Sequence, residues 1–196
     1  MLRLILLAVA AAVVGTYVIR YLDRRRLELV AQIRASFLAM QPGSMEPPTG
    51  LKVVHLRNAT VRCRVPQSWA EEYGDDEHAR FQARGDSRRA LDVTSATVPA
   101  SPSAIADILR AGAPASGATT AETLASGDVL LKAVSEARDS DGRIVCFLWL
   151  MGRSLSPDRV RVATFAFKVP LDSAHDVFTR NELTRLEHEV RAAQLA

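Results

Sequence analysis

The residues whose chemistry stands out in this sequence are carboxylates and a histidine crowded into one short run. The run is EEYGDDEHAR, residues 71–80, and its candidate polar groups are Glu71, Glu72, Asp75, Asp76 and His78. Groups of this kind bind divalent cations or transfer protons. The run lacks the alternating ligands and the distal glutamate of a calcium loop, so it favours a solvated hairpin. A small-ligand pocket at Glu71–His78 is the alternative.

Neither this run nor any other set of residues in the sequence completes a catalytic or metal motif. His55, His175 and His188 are scattered, and no two histidines have the i,i+4 spacing of a metal-binding helix. The glycines form neither a phosphate-binding loop nor a Gly-x-Ser-x-Gly elbow. The sequence therefore predicts a protein that is not an enzyme, with no catalytic residue, no metal and no cofactor.

Two cysteines and one tryptophan complete the candidate residues. Cys63 and Cys146 fall on the apolar faces of predicted strands, which indicates buried thiols. They can form a disulfide only if their strands are neighbours and the compartment is oxidising. Trp69 follows VPQS at a strand exit. An indole there either plugs the end of the core or rims a groove for a partner, and both interpretations stay open.

The first 22 residues predict a membrane-spanning helix, which would determine where the protein is located. Residues 4–19 carry no charge, and a helix over residues 1–22 would be about 30 Å long, which matches the hydrocarbon core of a bilayer. We therefore expect a retained transmembrane anchor at residues 1–22. A signal peptide cleaved near Ala10 is the alternative, although the apolar run continues for nine residues beyond that point.

The charges around this run predict a membrane surface and an orientation. Residues 1–50 hold six arginines against three acidic residues, while the remaining 146 residues balance at 19 basic and 19 acidic. Basic residues beside an apolar run favour anionic lipid over nucleic acid. Because the more basic flank tends to stay inside, we expect a single-pass protein of the bacterial inner membrane with a cytoplasmic domain; a periplasmic domain is the alternative. The predicted lipid contacts are Arg20, Arg24, Arg25, Arg26 and Arg34.

Residues 23–40 predict an amphipathic juxtamembrane helix, because apolar residues recur at three-, four- and seven-residue intervals without Pro or Gly. Three roles stay open for it: lying on the membrane, pairing with a second copy in a homo-oligomer, or packing on its own domain. The next ten residues, QPGSMEPPTG at 41–50, predict a linker.

From residue 51 the pattern changes to the two-residue period of β-strands. Two late segments, RIVCFLWLMGRSL and RVRVATFAFKVP, are apolar on both faces, so helices are expected to cover the sheet on both sides. One predicted helix is SPSAIADILRAG, capped by Ser101 or Ser103 and followed by a flexible connection over 113–126. Another is C-terminal, with a capping box at Thr179 and Glu182. Residues 51–196 therefore predict one α+β domain.

The order of these segments resembles a known family. VRCRVPQSW at Val61–Trp69, an acidic turn, the late strand RVATFAFKVP and the terminal helix LTRLEHEVRAA together resemble the PsbP-like and DcrB-like α/β/α sandwiches. The resemblance covers residues 51–196 and is one of pattern, so no functional residue is transferred. It implies an antiparallel sheet between helices and a non-enzymatic role in binding, assembling or chaperoning another protein.

Two functional hypotheses follow from the sequence. The first is a membrane-tethered interaction protein, an assembly factor or accessory subunit whose partners are lipid and another membrane or envelope protein, with no nucleic acid. The second is a membrane-bound small-ligand sensor or enzyme that uses the pocket near Glu71–His78. The absence of a catalytic motif favours the first.

Overall fold

The computed structural model describes residues 27–37, 50–114, 118, 120–139 and 142–196. The chain divides into two units, residues 1–36 and 37–196. The predicted anchor at 1–22 and the predicted linker up to residue 49 lie outside the described residues. Within the part that the structure describes, no helix has the length and apolar character needed to cross a bilayer.

Residues 27–37 form helix α1, inside the segment predicted to be an amphipathic helix. Val30, Ile33 and Phe37 are buried and lie three and four residues apart, whereas Leu27 is exposed. This spacing places the buried side chains on one face of the helix. Arg34 lies in α1 and is half-buried. The other four predicted lipid contacts lie outside the described residues.

The second unit contains two antiparallel sheets and two longer helices. The strands are β1 (Leu51–His55), β2 (Val61–Pro66), β3 (Ala70–Asp75), β4 (His78–Gln82), β5 (Ala90–Pro99), β6 (Glu122–Thr123), β7 (Val129–Asp139), β8 (Gly142–Ser156), β9 (Arg159–Pro170) and β10 (Gln194–Leu195). The helices are α2 (Ile105–Gly112) and α3 (Val177–Arg191). The small sheet has the order β1-β2-β10, and the large sheet has the order β3-β4-β5-β9-β8-β7-β6.

Helices lie on both faces of the large sheet. On one face α2 packs Ile105 and Leu109 against Leu131 and Leu150. On the other face, α3 approaches the sheet closely enough for Glu187 to accept a hydrogen bond from the Trp149 indole. The predicted α+β sandwich with an antiparallel sheet is therefore confirmed.

The cover over the α2 face is less complete than the sequence predicts. Helix α2 has eight residues and is about 12 Å long, which is too short to span seven strands. Thr94, Ala96 and Ala137 lie on the same face as the α2 contacts and are exposed. Small and polar side chains at these positions are consistent with contact with solvent.

Helix termini and one connection differ from the sequence predictions. The hydroxyls of Ser101 and Ser103 bond to each other, 2.9 Å apart, and neither caps a helix. Helix α3 begins at Val177 with Asp176 as its N-cap, because the Asp176 carboxylate accepts from the Thr179 N–H at 2.6 Å. Aspartate caps a helix as well as threonine does. The connection predicted to be flexible contains β6 at the edge of the large sheet.

Candidate functional site

A concave surface that includes Trp69 lies between the start of α3 and the exits of β2 and β4. We call it the Trp69 groove; its volume is about 480 Å³. Its lining residues are Pro66, Ser68, Trp69, Ala83, Arg84, Phe178, Asn181, Glu182 and Arg185. Three segments that are distant in sequence therefore build one site.

One wall of the groove is a single face of α3. Phe178, Asn181, Glu182 and Arg185 are spaced i, i+3, i+4 and i+7, so they lie along one side of the helix. The Asp176 cap fixes where the helix begins and hence where this face points. Phe178, in the first turn, is 62% exposed, and its neighbour Val177 is 63% exposed.

Trp69 forms part of the opposite wall and is itself anchored in the core. Its exposed fraction is 4%, and its ring stacks on Phe167 with centroids 6.0 Å apart and planes 19° apart. Its backbone N–H donates to the Pro66 carbonyl at 3.0 Å, and its carbonyl accepts from Lys52 Nζ at 2.7 Å. The indole thus packs against the core and also borders the groove.

A buried arginine behind the groove holds the exposed aromatic ring. Arg89 is 6% exposed, and its Cζ lies 5.0 Å from the centroid of the Phe178 ring. Its Nη1 donates to Glu182 Oε2 at 2.5 Å, and its Nη2 donates to the Thr179 hydroxyl and lies 3.4 Å from Asp176 Oδ2. One face of the Phe178 ring is therefore fixed by a cation–π contact.

The charges in the groove are mostly positive. Of the described residues that line it, Arg84 and Arg185 are cationic and Glu182 is anionic. Burial raises the pKa of the Glu182 carboxyl, and the charge of Arg89 and its hydrogen bond lower it. For Asp176, burial raises the pKa, but the Thr179 hydrogen bonds and Arg89 outweigh it, so that pKa is lowered. Glu182 is thus compensated by Arg89, and Arg84 is an exposed cation in the lining of the groove.

The acidic run forms the β3–β4 hairpin, and its polar groups do not converge. Strand alternation puts Glu71 on one face of the sheet and Glu72 with His78 on the other. The Asp75 carboxylate accepts from the Glu77 N–H at 2.8 Å, beside exposed Asp76. A hydrogen bond from Lys52, followed by one from Tyr73, lowers the pKa of Glu71, and burial raises the pKa of Tyr73 to about 12.

A second concave surface lies on the outer face of this hairpin. It has a volume of about 400 Å³, and its lining residues are Glu72, Gly74, His78, Arg80 and Gln82. A Cβ atom at Gly74 would lie 2.9 Å from His78 Nδ1, so the imidazole lies directly over this glycine. Among the described residues, no three His, Cys, Asp or Glu side chains are grouped to hold a metal ion.

The two cysteines lie in different sheets and are both free. Cys63 is in β2 of the small sheet and Cys146 is in β8 of the large sheet, so the strands are not neighbours and the disulfide alternative is wrong. Burial raises the pKa of the Cys63 thiol to about 12 and that of the Cys146 thiol to about 11. For Cys146 burial outweighs the charge of Lys168 and the hydrogen bond to Ser135, both of which lower the pKa, so neither thiol is activated as a nucleophile.

Charged side chains that were not among the predicted site residues bind α3 to the sheet. Glu187 is fully buried and accepts from Trp149 and from Arg191 Nε, the latter at 2.9 Å. Lys132 Nζ lies 3.4 Å from the same carboxylate and donates to the Phe37 carbonyl at 3.3 Å. Charged residues usually lie outside unless paired. The i,i+4 spacing of Glu187 and Arg191 is a local signal for one of these pairs, whereas Lys132 and Glu187 come from distant segments that no local pattern relates.

Arg89 and Phe178 were also missed, although one signal for Phe178 was present. An Asp N-cap at 176 places the next two residues in the first turn of the helix, where Val177 and Phe178 point outward. Two large apolar residues at such positions are unusual on a solvated helix. The pairing of Arg89 with α3 is a contact across 87 to 93 residues, which no local spacing indicates.

Comparisons with known proteins support the fold of the chain but do not assign it to a family. No protein-family model and no curated protein matches it. A crystal structure from Bacteroides thetaiotaomicron VPI-5482 has a TM-score of 0.52 at 10% identity over 76% of this chain and 49% of that one. This chain therefore spans about half the length of that protein. The similarity supports a related α/β sandwich fold.

Two other solved structures are more distant. The Saccharomyces cerevisiae Ran-binding protein Mog1p has a TM-score of 0.46 at 12% identity, covering 76% of this chain and 96% of that one. The lipid transfer and protein localization domain of human StarD13 has a TM-score of 0.33 at 11% identity, covering 63% and 88%.

Proposed function

We propose that this protein is a non-catalytic, membrane-tethered interaction domain of the PsbP-like fold that binds another membrane or envelope protein through the Trp69 groove. Its role is that of an assembly factor or accessory subunit. The observation that carries the proposal is the exposed Phe178 ring, which the buried Arg89 guanidinium holds at the rim of the groove.

A fixed, exposed aromatic ring supports binding for an energetic reason. A side chain that is already ordered loses little conformational freedom when a partner arrives, so less of the contact energy is cancelled. Energetic hot spots at interfaces are enriched in aromatic residues and arginine and lie in well-packed pockets. The groove brings Trp69, Phe178 and Arg84 together within one concave surface.

The tether is the second part of the proposal. Residues 1–22 would hold the domain at the inner membrane, with Arg20, Arg24, Arg25, Arg26 and Arg34 at the lipid headgroups on the cytoplasmic side. Tethering raises the effective concentration of a binding domain near membrane partners without adding any contact. An alkaline phosphatase fusion at the C-terminus tests the side: we expect an inactive fusion, and activity would place the domain in the periplasm.

The second candidate function is a small-ligand sensor or enzyme that uses the concave surface on β3–β4. The observation in its favour is the His78 imidazole next to Arg80 and Glu72 in a surface of about 400 Å³. The divergence of the remaining carboxylates over two faces of the sheet favours the interaction role instead.

Affinity purification of the full chain from solubilised membranes tests the interaction. Phe178→Ser and Leu155→Ser each remove an exposed apolar side chain, but Leu155 does not line the groove. We expect the same membrane protein to be recovered with the wild type and with Leu155→Ser, and to be depleted about fivefold or more with Phe178→Ser. Recovery of the chain alone, or equal recovery with both variants, would contradict the proposal.

A further inference from the structure

We infer that the Trp69 groove selects an acidic linear segment of its partner, in which a large apolar side chain seats beside Phe178 and a nearby carboxylate pairs with Arg84. This inference rests on the proposed interaction function and goes further by naming the chemistry of the bound segment.

The apolar part of the recognition is the pair of exposed side chains at the start of α3. Five large hydrophobic residues are exposed among the described residues, and Val177 and Phe178 are the adjacent pair in that set. Beside them lie the buried Pro66 and Trp69, so apolar surface continues from the rim into the groove. A large apolar side chain from a partner would cover both parts and remove them from water.

The charged part of the recognition is Arg84. This arginine is exposed and forms no ion pair with the described residues. Glu182, the carboxylate that lines the groove, lies 2.5 Å from Arg89 and is therefore compensated. Asp86 and Asp176 also turn toward Arg89, at 3.6 and 3.4 Å, and do not line the groove. An incoming carboxylate thus meets an uncompensated cation, whereas an incoming lysine meets repulsion.

The dimensions favour an extended segment over a flat membrane surface. Phe178 and Arg185 are seven residues apart on α3, which corresponds to about 10 Å, the length of about three extended residues. Trp69 is 4% exposed and lies in the concave wall, where a planar bilayer would not reach it. A linear segment of about three residues therefore fits the length of this wall, with its apolar residue beside Phe178.

Peptide binding to the full chain in nanodiscs tests the inference, with fluorescence anisotropy as the readout. The probe is a labelled Gly-Ser peptide that carries one Phe flanked by Glu residues, and the matched controls replace Glu by Lys or Phe by Ala. We expect saturable binding of the acidic Phe peptide and about tenfold weaker binding of each control. Arg84→Glu should reverse the preference between the Glu and Lys peptides, while Arg88→Glu, an exposed neighbour outside the groove, should leave it unchanged.

The outcomes separate this inference from the proposed function. Equal affinity for the Glu and Lys peptides, or no effect of Arg84→Glu, overturns the acidic preference, even if Phe178→Ser still depletes the membrane partner. Binding to vesicles that contain phosphatidylglycerol, lost with Arg84→Glu and without any peptide preference, overturns it in favour of a lipid surface. If neither peptides nor the membrane partner depend on Phe178, the inference and the proposed function fail together.

Discussion

The Trp69 groove and the β3–β4 hairpin differ in whether residues that are close in sequence also converge in space. The hairpin has the densest set of reactive side chains in the sequence, yet strand alternation sends Glu71 to one face of the sheet and Glu72 with His78 to the other. The groove has no sequence motif, yet segments far apart in the chain bring Trp69, Arg84 and Phe178 together. Convergence in space, more than density in sequence, identifies the better candidate.

The two regions also differ in how rigidly their side chains are held. In the groove, Phe178 rests on Arg89, which is buried and bound to Glu182 and Thr179. In the hairpin, every residue of β3 is exposed or only half-buried. A site that binds a partner tightly benefits from the first arrangement, because the ordering cost is met during folding.

The largest effect is expected from the removal of Arg89, which holds one wall of the groove. Arg89→Ala leaves the half-buried Glu182 carboxylate without this ion pair and removes the hydrogen bond to Thr179, so we expect the free energy of unfolding to fall by about 1–3 kcal/mol. Arg88→Ala, at the exposed neighbouring position, should change it by less than about 0.5 kcal/mol. Urea unfolding followed by circular dichroism measures both. Similar small losses for the two variants would mean that Arg89 does not hold the wall of the groove.

A second prediction concerns the two cysteines. Neither Cys63 nor Cys146 should behave as an activated thiol in the folded protein. At pH 8 a thiol with a pKa of about 12 ionises to a fraction on the order of 10⁻⁴, and one of about 11 to a fraction on the order of 10⁻³. We therefore expect Cys63 and Cys146 to resist a chromogenic disulfide reagent in the folded protein and both to react in guanidinium. Rapid reaction of one thiol in the native state would reopen a catalytic role.

Replacing Glu71, which accepts hydrogen bonds from Lys52 and Tyr73, should change the free energy of unfolding only slightly. The pKa of Glu71 is lowered in the fold, so the stabilising contribution is present above the ordinary carboxyl pKa and is lost as pH falls through the lowered value. Glu71→Gln should cost no more than about 1 kcal/mol at pH 7 and nothing once the wild-type carboxyl is protonated. Unfolding curves at pH 7 and pH 3 measure the difference. A cost that grows on acidification would contradict the assigned direction.

The smallest effect is expected at Gly74. Gly74→Ala places a Cβ atom 2.9 Å from His78 Nδ1, but this atom belongs to a side chain that can rotate away. The gain from replacing a strand glycine offsets part of the cost, so the free energy of unfolding should change by less than about 1 kcal/mol. Thermal unfolding checks this. A loss above about 2 kcal/mol would show that the hairpin is as rigidly packed as the groove.

Strands and faces of the fold could be predicted because they follow local periodicity. The segment RVRVATFAFKVP coincides with β9, and Val61, Cys63 and Val65 are buried on one face of β2 as alternation indicates. The predicted start of α3 is three residues late, because the N-cap is Asp176 and not Thr179. Local rules predict the existence of elements better than their ends.

The candidate site could be predicted only in part. Trp69 was identified because an aromatic residue at a strand exit is a local feature. Arg89, Glu182 and Phe178 form one unit only after the fold brings the start of α3 beside Arg89, which directly precedes β5, and no spacing in the sequence encodes this contact. The buried Lys132–Glu187 pair was unpredictable for the same reason.

Photo-crosslinking in native membranes tests the central claim most directly. A photoreactive phenylalanine is placed at position 178 in one full-length variant and at position 78, in the hairpin surface, in another. The account predicts a covalent adduct with a membrane protein from position 178 and none from position 78, and an acidic segment in the crosslinked peptide. An adduct from position 78 without one from position 178 would contradict it and would favour the hairpin as the working surface of this protein.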